Sequence, residues 1–299
     1  MYLFNMSNFT EIPVHSFNSN QISLDNLLNY KKIINKINQE IRANQTKSIS
    51  GFWWHENEQI STDWFKKIRR TWHTELSDFQ EIYRYIKTLF DSEEIDLTFQ
   101  HGLMGFLLWL NRENQTEQDE TVDNFIEKTI EFLLSKKMKL NSSWQQFSFL
   151  PEAFDEDTWT SNNSLQWKVG DLHFVKLLHR QAKRYESSNY YEIAENIGLH
   201  STTRTSEEQT GITDSSLANG SSGLAVLYKA LYRETGGKEY LKSSNYWTKQ
   251  TELLLKPELQ NGYYLGRESR ILDGLLGVSI VLQELQKEEL SPLLTYLAG

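Results

Sequence analysis

The chain has 299 residues, 38% of them hydrophobic and 13% aromatic with 9 Trp, enough large apolar surface to build a substantial core in one large domain or two ordinary ones. A formal net charge of -9 disfavours nucleic acid and anionic lipid as partners. The absence of Cys excludes disulfides, thiolate metal sites and cysteine nucleophiles together.

With only 4 Pro and 15 Gly, the composition favours helices over a fold of many tight turns. Residues Met1 to Phe9 carry neither a basic segment nor a continuous apolar run, and no stretch is long and apolar enough to span a bilayer, so a cytoplasmic protein without membrane insertion is expected.

In chain order, Leu24, Leu27, Leu28, Ile34, Ile37 and Ile41 form a helix stripe. After the aromatic run Phe52-Trp53-Trp54, helical stretches are predicted from about Asp63 to Leu76 and from Asp78 to Phe90. A pattern then recurs in which a Gly-containing segment opens an apolar helix and a more polar amphipathic helix follows. The openings are Gln100-His101-Gly102-Leu103-Met104-Gly105, Gln166-Trp167-Lys168-Val169-Gly170, Ala218-Asn219-Gly220-Ser221-Ser222-Gly223 and Leu272-Asp273-Gly274-Leu275-Leu276-Gly277.

Segments such as Phe106-Leu107-Leu108-Trp109-Leu110 are apolar on nearly every side and predict inner helices. The charged stretches Glu120 to Lys137 and Lys238 to Leu255 carry a single apolar stripe and predict an outer layer. Openings roughly fifty to seventy residues apart predict a repeat of helix pairs. Asn141 to Ser164 and Asn196 to Ser216 read as long loops, and Glu152, Asp155, Glu156 and Asp157 as solvated acids.

Glycine-headed inner helices alternating with outer ones, with aromatic segments such as Gly262-Tyr263-Tyr264, resemble the lanthionine synthetase C-like family. The resemblance implies an all-α fold of the α/α toroid type, an inner ring of helices wrapped by an outer one with the glycine-rich openings on the active face. The whole chain then forms one toroid-like domain, with residues 1–94 as a divergent helical part and 95–299 as the recognisable repeats.

The family's cyclases hold zinc through a Cys in Trp-Cys-x-Gly and the pair in Cys-His-Gly. Here Trp167-Lys168-Val169-Gly170 and Ala218-Asn219-Gly220 occupy those motifs, so every ligand is replaced and no metal or other cofactor is expected. His101-Gly102 matches the family's His-Gly motif, which makes His101 the candidate acid/base residue; it could equally do no more than cap its helix. The family's Arg before the first ligand has no counterpart in Ser164-Leu165-Gln166.

Lys168 is a second catalytic candidate, because an ammonium beside a thiol lowers the thiol pKa, although a solvated surface charge is the simpler reading. Trp167, Asn219, Asp171 and Asp273 are the expected substrate-binding positions, with a core position as the simpler reading of Trp167. The implied role is in ribosomal-peptide modification of the lanthipeptide type, as a non-catalytic helper that binds a precursor peptide or a peptide dehydratase. A zinc-independent cyclase using His101 and Lys168 is the alternative. A carbohydrate-active toroid with paired carboxylates at Asp171 and Asp273 is a third.

Overall fold

The structure, a computed structural model, describes residues 60–76, 78–138, 146–155, 158–268, 270–285, 287, 290, 294, 295 and 298. The stripe from Leu24 to Ile41 and the run Phe52-Trp53-Trp54 lie outside the described residues. The chain divides into two compact units, one formed by Trp53–Arg204 and the other by Met1–Phe52 with Thr205–Gly299.

The Trp53–Arg204 unit begins with helices α1 (Ile60–Thr71) and α2 (Phe79–Phe90), both predicted from their apolar spacing. Asp78 starts α2 by accepting the Gln80 N–H at 2.8 Å, which satisfies one of the free donors of the first turn. A glycine-opened helix, α3 (Leu103–Glu117), follows and buries Leu103 to Asn111 without a break, so it is an inner helix. The amphipathic α4 (Glu120–Ser135) turns Val122, Phe125, Ile126, Ile130 and Leu133 inward.

Helix α4 packs on α3, and α1 and α2 cover α4. Trp72 joins the two layers, donating to Asn124 Oδ1 at 2.9 Å and meeting Phe125 edge to face at 5.0 Å. The second pair is α5 (Leu172–Tyr185) with α6 (Ser188–Thr202), and the inner helices α3 and α5 pack on each other.

Two expectations for loops change here. Residues 196–202 continue α6, because Ala194, Ile197, Gly198 and Ser201 fall on its buried face. The Asn141 to Ser164 region holds strands β2 (Ala153–Phe154) and β3 (Trp159–Thr160), which pair antiparallel with each other and, through β2, with β1 (Ile95–Asp96) in the order β1-β2-β3. Trp and β-branched residues suit strands, yet three pieces of two residues each are too short to give a periodic signal.

The second unit holds the short helix α7 (Glu207–Thr210), the inner α8 (Ser221–Thr235), the outer α9 (Lys238–Gln260) and the inner α10 (Leu275–Glu284). Helix α8 packs against both α9 and α10. Buried hydroxyls tie α9 to α8: Ser244 donates to the Ala225 carbonyl at 2.9 Å, and Thr251 to Ser221 Oγ at 2.8 Å. In both units the glycine-opened helices are the inner ones, as the sequence predicted.

Candidate functional site

Three of the inner helices, α3, α5 and α8, are each preceded by a loop that folds on its own side chains. Asp96 accepts the Thr98 N–H at 2.6 Å, Ser164 Oγ the Gln166 N–H at 3.0 Å, and Asp214 the Ser216 N–H at 2.7 Å. All three residues stand six positions before the first glycine of their motif, Gly102, Gly170 and Gly220. The side chain therefore fixes a turn that brings the chain back onto the helix start.

The second glycine of the motif has a different reason. A Cβ at Gly105 would overlap the carbonyl oxygen of Phe99, six residues earlier, and one at Gly277 would overlap that of Ile271. Only glycine permits so close an approach. In the motif that opens α5 the same position is His173, whose imidazole reaches the carbonyl six residues earlier by hydrogen-bonding Trp167 O at 2.7 Å. Its ring stacks on Phe99 at 3.7 Å with the planes 5° apart.

In the Trp53–Arg204 unit the openings of α3 and α5 are joined by the Phe99 N–H donating to the Lys168 carbonyl at 2.8 Å. This bond sets the segments that carry His101 and Lys168 side by side. His101 is exposed, and its imidazole has no partner among the described residues; its backbone N–H donates to Thr98 Oγ1 at 3.3 Å, while no side-chain cap is made at the start of α3. Lys168 is half-buried and likewise without a side-chain partner among the described residues. Both of these candidates are available to a ligand.

Two neighbours are not, contrary to the expectation that they contact substrate. Trp167 has 0% of its surface exposed and meets Phe99 edge to face at 5.1 Å, so it is core. Asp171 is buried, and its carboxylate accepts the Phe149 N–H at 2.7 Å and the Leu150 N–H at 3.1 Å while facing Arg204 at 3.7 Å. Burial raises the Asp171 pKa, and Arg204 and the two amides oppose that shift. The carboxylate needed by a glycosidase reading is thus spent on holding a loop.

In the second unit the Ala218 N–H donates to the Leu272 carbonyl at 2.7 Å, which brings together the openings of α8 and α10. Asn219 is half-buried with its amide oxygen buried and unpartnered, and Asp273 pairs with Arg270 at 2.9 Å. Beside them Ser215 is held between Glu258, which accepts from its N–H at 2.9 Å and from its hydroxyl, and Tyr264 at 2.7 Å. Burial raises the Glu258 pKa against these hydrogen bonds, and Asp214 adds to the rise. Tyr263 donates to Asp214 at 2.9 Å.

Zinc does not fit these residues. Ala218 offers a methyl group, Lys168 an ammonium, and Asn219 an amide oxygen closed off from solvent. Among the described residues no three His, Asp or Glu side chains gather closely enough to hold a metal ion.

Helix pairs opened by glycine loops define an all-α protein of the α/α toroid class. The family model for lanthionine synthetase C-like proteins matches residues 15–297, and the chain belongs to that family. Among solved structures it is similar to nisin cyclase, with a TM-score of 0.53 and 19% sequence identity over 68% of this chain. It spans 51% of the nisin cyclase chain, about half its length. No match was found among curated proteins. No helix among the described residues is long and apolar enough to cross a membrane.

Sequence reasoning missed Asp96, Ser164 and Asp214, although a small acceptor six residues before each glycine is a readable repeat. It also missed His173, hidden where its motif departs from the others, and Arg204 and Glu258, for which the sequence offers no local signal.

Proposed function

We propose that this protein serves a lanthipeptide-type modification pathway in the cytoplasm as a zinc-free, non-catalytic member of its family, binding a precursor peptide or a peptide dehydratase. The observation that carries this reading is the residue set Lys168, Ala218 and Asn219 at the positions of the family's zinc ligands, in loops that keep the family's glycines and their turns. Zinc in such a cyclase generates a thiolate, and no side chain at these three positions can hold the metal that does so.

Purified protein is expected to carry no stoichiometric zinc by elemental analysis. One zinc per chain that survived chelation would show other residues acting as ligands and would sink the reading.

A zinc-independent cyclase is the second reading, favoured by the side chains of His101 and Lys168, which have no partner among the described residues and lie on adjoining segments. Lys168 would lower the pKa of a peptide thiol and His101 would move the proton. The two readings separate when a dehydrated, Cys-containing precursor peptide is offered to the purified chain and free thiol is followed by alkylation and mass spectrometry. The helper binds the peptide without consuming thiol. Thiol loss that disappears in His101→Ala and Lys168→Ala would establish the cyclase instead. With a net charge of -9 the chain should favour basic peptide segments, and binding should weaken as salt rises.

A further inference from the structure

The hairpin of β2 and β3 has no role in the site described above, yet it is held firmly. Asp171 accepts the Phe149 and Leu150 N–H groups, buried Arg204 donates to the Asn163 carbonyl at 2.8 Å and to Ser148 Oγ at 3.3 Å, and Gln146 donates to the Ser148 carbonyl at 2.7 Å. The Leu97 N–H donates to the Glu152 carbonyl at 2.8 Å and extends the pairing of β1 with β2. On this hydrogen-bonded frame Trp159 is 62% exposed, the most of any large hydrophobic side chain among the described residues.

Strand β3 is the last in the order β1-β2-β3. The carbonyls of Thr158 and Thr160 accept from β2, taking the Asp155 N–H at 2.9 Å and the Glu152 N–H at 3.0 Å. Backbone groups alternate sides along an antiparallel strand, so the N–H and C=O of Trp159 point away from β2, to an edge that pairs with no strand among the described residues. Edge strands are commonly protected by charge or proline, and Thr158-Trp159-Thr160-Ser161 has neither.

From this we infer that β3 is a docking edge for an extended peptide, which adds as a short fourth strand beside Trp159 and lays an apolar side chain on the indole. The inference rests on the peptide-binding reading above and gives it a location. Basic residues in the peptide are favoured: the exposed carboxylate of Asp155 and that of Glu152 flank the strand, against the cation Lys87, which pairs with Asp155 at 3.1 Å. The shortness of β3 restricts the added strand to a few residues, so the edge supplies anchoring rather than the whole affinity.

The probe is a short fluorescein-labelled peptide of alternating Lys and Val, titrated by fluorescence anisotropy into the full chain. Trp159→Ser, at an exposed position, should weaken binding about tenfold, as loss of an aromatic anchor does, without changing thermal stability. Ser161→Pro, which removes the next outward N–H, should weaken it as well, and the same peptide N-methylated at alternate residues should not bind.

Hydrogen exchange should slow across residues 158–161 when the peptide is present. Binding that survives both variants but falls in His101→Ala or Lys168→Ala overturns the edge and keeps the peptide-binding reading. No binding of the probe overturns the edge, while the peptide-binding reading stands or falls with the precursor-peptide assay. Self-association that Trp159→Ser abolishes, with no peptide bound, identifies a second copy of the chain as the occupant and overturns the inference.

Discussion

Replacing Asp171 with Asn is expected to destabilise the Trp53–Arg204 unit by about 3 to 5 kcal/mol, the cost of breaking a buried ion pair from one side. Asp171 and Arg204 are each 1% exposed, and the carboxylate also satisfies two backbone N–H groups. Asn preserves the shape but sets an amide NH2 against donors, and it removes the negative charge that faces the Arg204 guanidinium, which cannot give up its proton. Arg204→Met should cost less, because Asp171 can take up a proton and become neutral where Arg204 cannot.

Urea unfolding of both single variants and the double variant provides the measurement. A double variant about as stable as Asp171→Asn alone, or more so, is expected, since the two residues act as one unit. If Asp171→Asn costs no more than Arg204→Met, the pair is not the anchor described here.

Acid should weaken the same unit through His173. The imidazole is buried with Nε2–H donating to the Trp167 carbonyl and Nδ1 unpartnered, so a second proton would have no acceptor. Burial first, then the charges of Lys176 and Arg180, lowers its pKa from 6.5 to about 3, against the pull of the Trp167 carbonyl.

In the unfolded chain His173 binds a proton below about pH 6.5, and in the folded chain only below about 3. Its contribution is therefore intact above the unfolded value and is lost as pH falls through that window. From about pH 7 to about pH 4.5 the loss should be on the order of 2.5 kcal/mol.

His173→Gln keeps a donor for the Trp167 carbonyl but does not titrate. Unfolding of both proteins at the two pH values isolates the His173 share from that of the carboxylates. If the wild type loses no more stability than His173→Gln, the imidazole is not buried in its neutral form.

Much of this molecule is written in local patterns. A helix apolar on all sides has to be inner, so Phe106 to Leu110 determined the placement of α3 before any contact was known, and the single stripe of Glu120 to Lys137 determined that of α4. The apolar spacing from Asp78 to Phe90 marked α2, and the structure adds that Asp78 caps it. The replacement of the family's ligand types by Lys168, Ala218 and Asn219 was equally legible, since the donor properties of a side chain are fixed by residue type whatever the fold around it.

What only the tertiary structure decided depends on partners far apart in the chain. Asp171 looks like a helix-start acid until Phe149, Leu150 and Arg204 are seen around it, and Trp167 looks like a binding-site aromatic until Phe99 and His173 close over it. Whether a polar or aromatic side chain meets solvent or core is set by which distant segments pack against it. Sequence spacing carries no record of that, and for the same reason Trp159, in a region read as a loop, shows its exposed place on a strand only once β3 has paired with β2.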